Sequence, residues 1–351
     1  MKTNISHKRM VILTALLLLS MPLFSQTNGE PVYLTGSKIG DRLVGDLGMF
    51  GGGFAGVGLN FLSMGILSSD SELSLNDRII SSALTELSDI PLFLSGSPDA
   101  LALSIGGLAV WGGEALADAG YGMYSDAANY LYWAGNDLAM YKAYDSYASY
   151  RLQSDAWDNS SFRRYGFMEL MAAPFTGSNI IKAQVLLGAA SGVLAIVGLL
   201  AADGELPFDD SVFATGNYYM GERELNAPAF FLEGILGGAV SATYTAVGEE
   251  AVYTGFFHEE LCDVMGKRWG TITETAAFTA MHVFTDLGRG KDWKYILCHA
   301  AFVAGTNWLS DWAYEEGGLP LTVALHAWTD FAAFMTTAIL TGGVPQSREG
   351  I

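Results

Sequence analysis

From Pro174 onward, hydrophobic positions stop being punctuated by polar ones and gather into long runs: Asn179 to Ala202, Pro228 to Gly248, Thr271 to Leu287, Tyr295 to Ser310 and Leu319 to Leu340. A hydrocarbon core is crossed by about 17 to 25 mainly apolar helical residues. Backbone groups in lipid must be satisfied within the segment, so these runs are predicted to be helices rather than open strands. Before Pro174 the pattern is less uniform. Leu47 to Leu67 is uncharged but rich in glycine, and Ala100 to Gly113 is apolar yet short, as expected of a re-entrant or surface piece. Residues 114 to 164 turn polar and rich in tyrosine. There Tyr141, Tyr144, Tyr147 and Tyr150 recur every third position, which spreads them over one broad side of a helix. Both an aromatic belt at a membrane surface and an ordinary packed helix accommodate that side. At the N-terminus Lys2, Lys8 and Arg9 precede the run VILTALLLLSMPLF, with Ser25 as a small residue for cleavage, the pattern of a signal peptide or an uncleaved anchor.

The fold class this predicts is all-α: a polytopic helical membrane bundle with a signal-like N-terminal segment. Its expected parts are 1–25, the signal or anchor; 26–165, with one or two apolar helices and the tyrosine-rich segment; and 166–345, the helical core. Gly188 with Gly192, and Gly234 with Gly238, are small-xxx-small pairs that let helix backbones approach closely.

Composition agrees. Half the residues are hydrophobic and 16% are charged, against about 25% charged in soluble domains. The 37 acidic side chains outnumber 18 basic ones, which excludes nucleic acid as a partner, since phosphate binding needs clustered Lys and Arg. Cys262 and Cys298 lie in or beside apolar segments and suggest no disulfide framework.

Ionisable groups at membrane depth are costly and mark function. The sequence places four such sites in the C-terminal runs: Glu249 with Glu250, His282, His299, and His326 with Asp330. The last pair is i, i+4 and stacks on one helical face about 6 Å apart. Phe278 and His282 share that spacing, so the phenyl ring can pack beside the imidazole. Adjacent Glu249 and Glu250 differ by about 100° around a helix, so at most one points fully into a shared site. Three helices would then deliver a carboxylate, two imidazoles and an aspartate to one cavity. A desolvated carboxylate can act as general base toward water, with imidazoles holding the water and opposing developing negative charge. That is hydrolysis without a nucleophilic side chain; the alternative is histidines that merely hydrogen-bond the helices together.

Glu-Glu followed by Gly-Phe, then Phe-x-x-x-His, then His-x-x-x-Asp on successive helices resembles the CPBP family of intramembrane proteases, also called CAAX prenyl protease 2 or lysostaphin resistance protein A-like. The resemblance spans Phe175 to Leu340. It implies a multi-pass peptidase of a bacterial cytoplasmic membrane that acts among membrane lipid on a protein or peptide substrate. Glu249 would activate water, Glu250 would assist, His282 and His326 would bind the water or the scissile carbonyl, and Asp330 would help at the oxyanion side. No cofactor is required on this reading; the alternative is a zinc ion held by Glu249, His282 and His326. The family arginine falls at Thr254, which can donate one hydrogen bond but cannot neutralise a carboxylate. That departure leaves a non-hydrolytic membrane scaffold or immunity-type protein as the competing function. His258, eight residues beyond Glu250, is expected at the membrane interface in water. The stretch HEELC, His258 to Cys262, misses a His-Glu-x-x-His zinc motif at its last position.

Overall fold

The computed structural model describes residues 31–49, 137, 140–202, 204, 208–221, 223–288 and 290–345. The signal-like segment, the run Ala100 to Gly113 and nearly all of Leu47 to Leu67 lie outside those residues. The chain divides into two compact units between Arg164 and Tyr165.

In the N-terminal unit, helix α1 (Lys38–Met49) and helix α2 (140–151) are tied together by one carboxylate. Asp41 is buried and accepts from the backbone N–H of Leu34 at 2.8 Å and of Thr35 at 2.6 Å, from the Thr35 hydroxyl at 2.6 Å, from Tyr150 at 3.4 Å and from the Ser154 hydroxyl. Tyr141, Tyr144 and Tyr147 are buried, and Tyr147 packs edge-on against Trp157 and Phe162. Of the two readings of the tyrosine repeat, the packed helix is therefore the one found.

Burial pushes the Asp41 carboxyl up, but the hydrogen bonds from Ser154, Thr35 and Leu34 outweigh it and hold the group below the ordinary aspartate value. A carboxyl depressed in the folded state stabilises the fold above its unfolded pKa, and that stabilisation is lost as pH falls through the folded value. Asp41→Asn is expected to cost about 1–3 kcal/mol at neutral pH. The gap in thermal midpoint between variant and wild type, followed by near-ultraviolet circular dichroism in detergent, narrows as the medium is acidified below the ordinary aspartate range. A gap independent of pH would show that the charge on Asp41 does not matter.

The C-terminal unit is a helical bundle. It opens with α3 (Phe167–Ala172) and α4 (Ala183–Ala202), then a loop whose two-residue strands Tyr219–Met220 and Arg223–Glu224 form a small antiparallel ribbon. Helix α5 (Ala227–Val252) starts where Asn226 accepts from the Ala229 N–H and Pro228 occupies the first turn. It runs through a π-helical turn, Tyr253–His258, into α6 (Glu259–Met265). Helices α7 (Lys267–Gly288), α8 (Trp293–Gly317) and α9 (Leu319–Thr341) complete the unit. Gly318, at φ 66°, ends α8 and lets the chain reverse directly into α9.

All five predicted helices are present. Three helical stretches, Ala183–Ala202, Ala227–Met265 and Leu319–Thr341, are long and apolar enough to cross a membrane. The expected spans within α7 and α8 are helical but fall short on apolarity, because these helices also carry Lys267, Arg268, Glu274 and Asp286, or Lys294, Asp311, Glu315 and Glu316. Helix α9 is the hub and packs on α4, α5 and α8. Both glycine pairs face it: a Cβ on Gly188 would meet Leu325 and Thr329, one on Gly192 Thr329 and Ala333, and one on Gly234 or Gly238 Met335 or Phe334. On the outward faces Leu194, Leu232, Leu236 and Val240 are 57–70% exposed, the surface a bundle presents to hydrocarbon. The protein is an all-helical integral membrane bundle.

Candidate active site

Helix α5 delivers Glu249 and Glu250 just before its π turn, and α9 delivers His326 and Asp330. The His326 ring joins them. Its Nδ1 lies 2.8 Å from Glu250 Oε1, while its Nε2 lies 3.4 Å from Asp330 Oδ2 and 3.8 Å from Glu249 Oε2. Both glutamates therefore reach one imidazole from different sides, and they differ in setting. The Glu250 side chain is 5% exposed and Glu249 27%, as the angular separation of adjacent helical residues requires.

Glu250 is held by donors from three helical segments. His326 lies on one oxygen, Ser310 of α8 donates to the same oxygen at 3.3 Å, and Thr254 of the π turn donates to the other at 2.5 Å. Widening the helix at Tyr253–His258, a device common at functional sites, aims Thr254 back at the carboxylate one turn earlier. Thr254 thus supplies a hydrogen bond where the family pattern has a cation.

His282 comes from α7. Its Nδ1 lies 3.0 Å from the Phe278 carbonyl oxygen, so Nδ1 carries the proton and Nε2 is left as an acceptor. Phe278 stands between the two imidazoles, with ring centroids 4.7 Å from His282 and 6.4 Å from His326. Among the described residues no hydrogen bond or ion pair joins His282 to Glu249, Glu250 or Asp330. Beside it His299 pairs with buried Asp286, Nδ1 to Oδ2 2.6 Å, and its ring lies 5.6 Å from that of His282.

His258 is not at the interface in water: it is 5% exposed and its Nδ1 lies 2.8 Å from Asp311 Oδ1 of α8. Helix α5 continues through the π turn and carries the ring inward. Sequence reasoning passed over Ser310 and Asp311, which no spacing marks, and Glu274, which it could have found. Glu274 is an ionisable residue inside a predicted span and precedes Phe278, His282 and Asp286 at steps of four. Glu274 is 1% exposed and accepts from Asn307 at 2.6 Å.

Fold and cluster together define an integral membrane protein with a carboxylate–imidazole centre enclosed by helices. Residues 231–332 match the family described as type II CAAX prenyl endopeptidase Rce1-like, in agreement with the protease family that the motifs resemble. The matched stretch includes Glu249, Glu250, His282, His326 and Asp330. No curated protein and no solved structure matches the chain.

Proposed function

We propose that the protein is an intramembrane endopeptidase in which Glu249 activates water directly and no covalent acyl-enzyme forms. One observation carries the reading: residues of two motifs, distant in sequence, meet at the His326 imidazole with carboxylates on both of its nitrogens. Held in this way, the His326 ring presents its Nε2–H between Asp330 and Glu249. It can oppose the charge of the tetrahedral intermediate and pass a proton to the leaving amine. Glu249, the more open of the two glutamates, takes the proton from water. Glu250 fixes the ring from behind. The Nε2 of His282 accepts from the water. Asp330, acceptor-only when ionised, acts by orienting His326 Nε2–H rather than by touching the oxyanion itself.

The zinc alternative is less well supported. Among the described residues Glu249, His282 and His326 do not form a set of ligand atoms within 4.8 Å of one another. The reading therefore invokes no cofactor, and its partners are membrane lipid and a peptide at the membrane, with a bacterial cytoplasmic membrane as the setting.

The test is cleavage, in proteoliposomes, of a peptide bearing a prenylated cysteine near its C-terminus, run in isotopically labelled water with added hydroxylamine. Expected is one labelled oxygen in the new carboxylate and no hydroxamate. A hydroxamate would mean an acyl-enzyme, and no cleavage of this or any membrane peptide would favour the scaffold reading.

Thr254→Val removes a hydroxyl donor from buried Glu250 at nearly constant volume. It is expected to lower stability by about 1–3 kcal/mol and to reduce kcat, whereas Thr254→Ser keeps the donor and most of both. Equal kcat for the Val and Ser variants would show that this hydrogen bond is idle.

A further inference from the structure

Behind Glu250 lies a second cluster that the hydrolytic reading does not use. His258 at the end of the π turn, Glu274 of α7 and Asp311 of α8 each offer a ligand atom, and these atoms all lie within 4.8 Å of one another. The three residues are 1–5% exposed. Glu274 Oε1 and Asp311 Oδ2 are buried without a hydrogen-bond partner, and His258 Nδ1 lies 2.8 Å from the other Asp311 oxygen. Buried polar atoms are almost always partnered in folded proteins, so two orphan carboxylate oxygens beside one imidazole call for a common partner. Charge points the same way. Glu274 and Asp311 face one imidazole, Glu250 is close behind through Ser310, and among the described residues no Lys or Arg pairs with any of these carboxylates. Excess negative charge out of water is costly unless a cation offsets it.

We propose that His258, Glu274 and Asp311 bind a divalent transition-metal ion, zinc in the first place, at a structural site distinct from the hydrolytic centre. One imidazole and two carboxylates supply three of the four ligands of tetrahedral zinc, a water molecule taking the fourth position. The surroundings supply what such ligands need. The other ring nitrogen of His258, Nε2, lies 3.5 Å from Cys262 Sγ, leaving Nδ1 for the ion. Glu274 Oε2 is held by Asn307, leaving Oε1. Ligand atoms around tetrahedral zinc lie about 3.3 Å apart, so small side-chain rotations close the set. The ion would clamp the π turn to α7 and α8, and thereby fix the backbone that carries Thr254 beside Glu250.

The test reads metal rather than activity. The full chain, purified in detergent without chelator, is analysed by plasma mass spectrometry, and the cobalt-loaded protein by its visible ligand-field absorption. Expected is about one zinc per chain, absorption of tetrahedral cobalt that zinc displaces, loss of metal in Asp311→Asn and Glu274→Gln, and unchanged metal in Glu249→Gln. Should Asp311→Asn fail to fold, Glu274→Gln and the cobalt spectrum of the wild type decide. Wild type without stoichiometric metal and without the cobalt bands overturns the site. So does metal retained in both substitutions, and so does metal lost from Glu249→Gln, which would place the ion at the hydrolytic centre instead.

Discussion

Glu249→Gln lowers kcat roughly a hundred- to ten-thousandfold, while helix content and detergent behaviour stay as in the wild type. Glutamine matches the shape of glutamate but cannot take a proton from water. At 27% exposure, with His326 Nε2 3.8 Å away as its ion-pair partner among the described residues, the Glu249 carboxylate is not a structural keystone, so its loss should fall on the chemical step. Glu250 is different. Its side chain is 5% exposed and receives His326, Ser310 and Thr254. Glu250→Gln therefore lowers stability and activity together. The two substitutions, compared by kcat and by thermal midpoint in one preparation, separate base from support. Full activity in Glu249→Gln would move the base elsewhere.

The second large effect concerns packing. A Cβ on Gly192 would overlap the Thr329 carbonyl oxygen and crowd the Ala333 backbone nitrogen at 3.2 Å. Those are backbone atoms in the middle of α9, and they cannot swing aside as a side chain can. Gly192→Val must push α4 and α9 apart, and overpacking of this kind costs about 1–3 kcal/mol or more. Because Thr329 precedes Asp330, the same displacement disturbs the His326–Asp330 pair. Expected are a lower yield of monodisperse protein and lost activity in what remains. Gly198→Ala is the control, since its added Cβ meets only Cys298 Sγ at 3.6 Å, and the better helix propensity of alanine makes it neutral or slightly stabilising. If Gly192→Val were as well behaved as Gly198→Ala, the close approach of α4 and α9 would be wrong.

What the sequence by itself determined is local or periodic. Apolar runs defined the helices of the C-terminal bundle, because in hydrocarbon a backbone has no other economical way to satisfy its hydrogen bonds. Spacing of four placed Phe278 against His282 and His326 beside Asp330, since that step stacks side chains on one helical face. The glycine pairs announced close helix contact, and the order of the motifs pointed to the protease family.

Only the tertiary structure decided what meets across helices. It set Glu250 inside and Glu249 at the more open side, brought Ser310 to Glu250, and buried His258 on Asp311 where the sequence suggested water. No intrahelical period connects residue 258 with 311 or 250 with 326; those distances depend on how α8 and α9 dock, to which glycine contacts and apolar packing between helices contribute. The π turn is the sharpest case. No spacing in YTGFFH marks it, and from it Thr254 reaches Glu250 and His258 reaches Asp311.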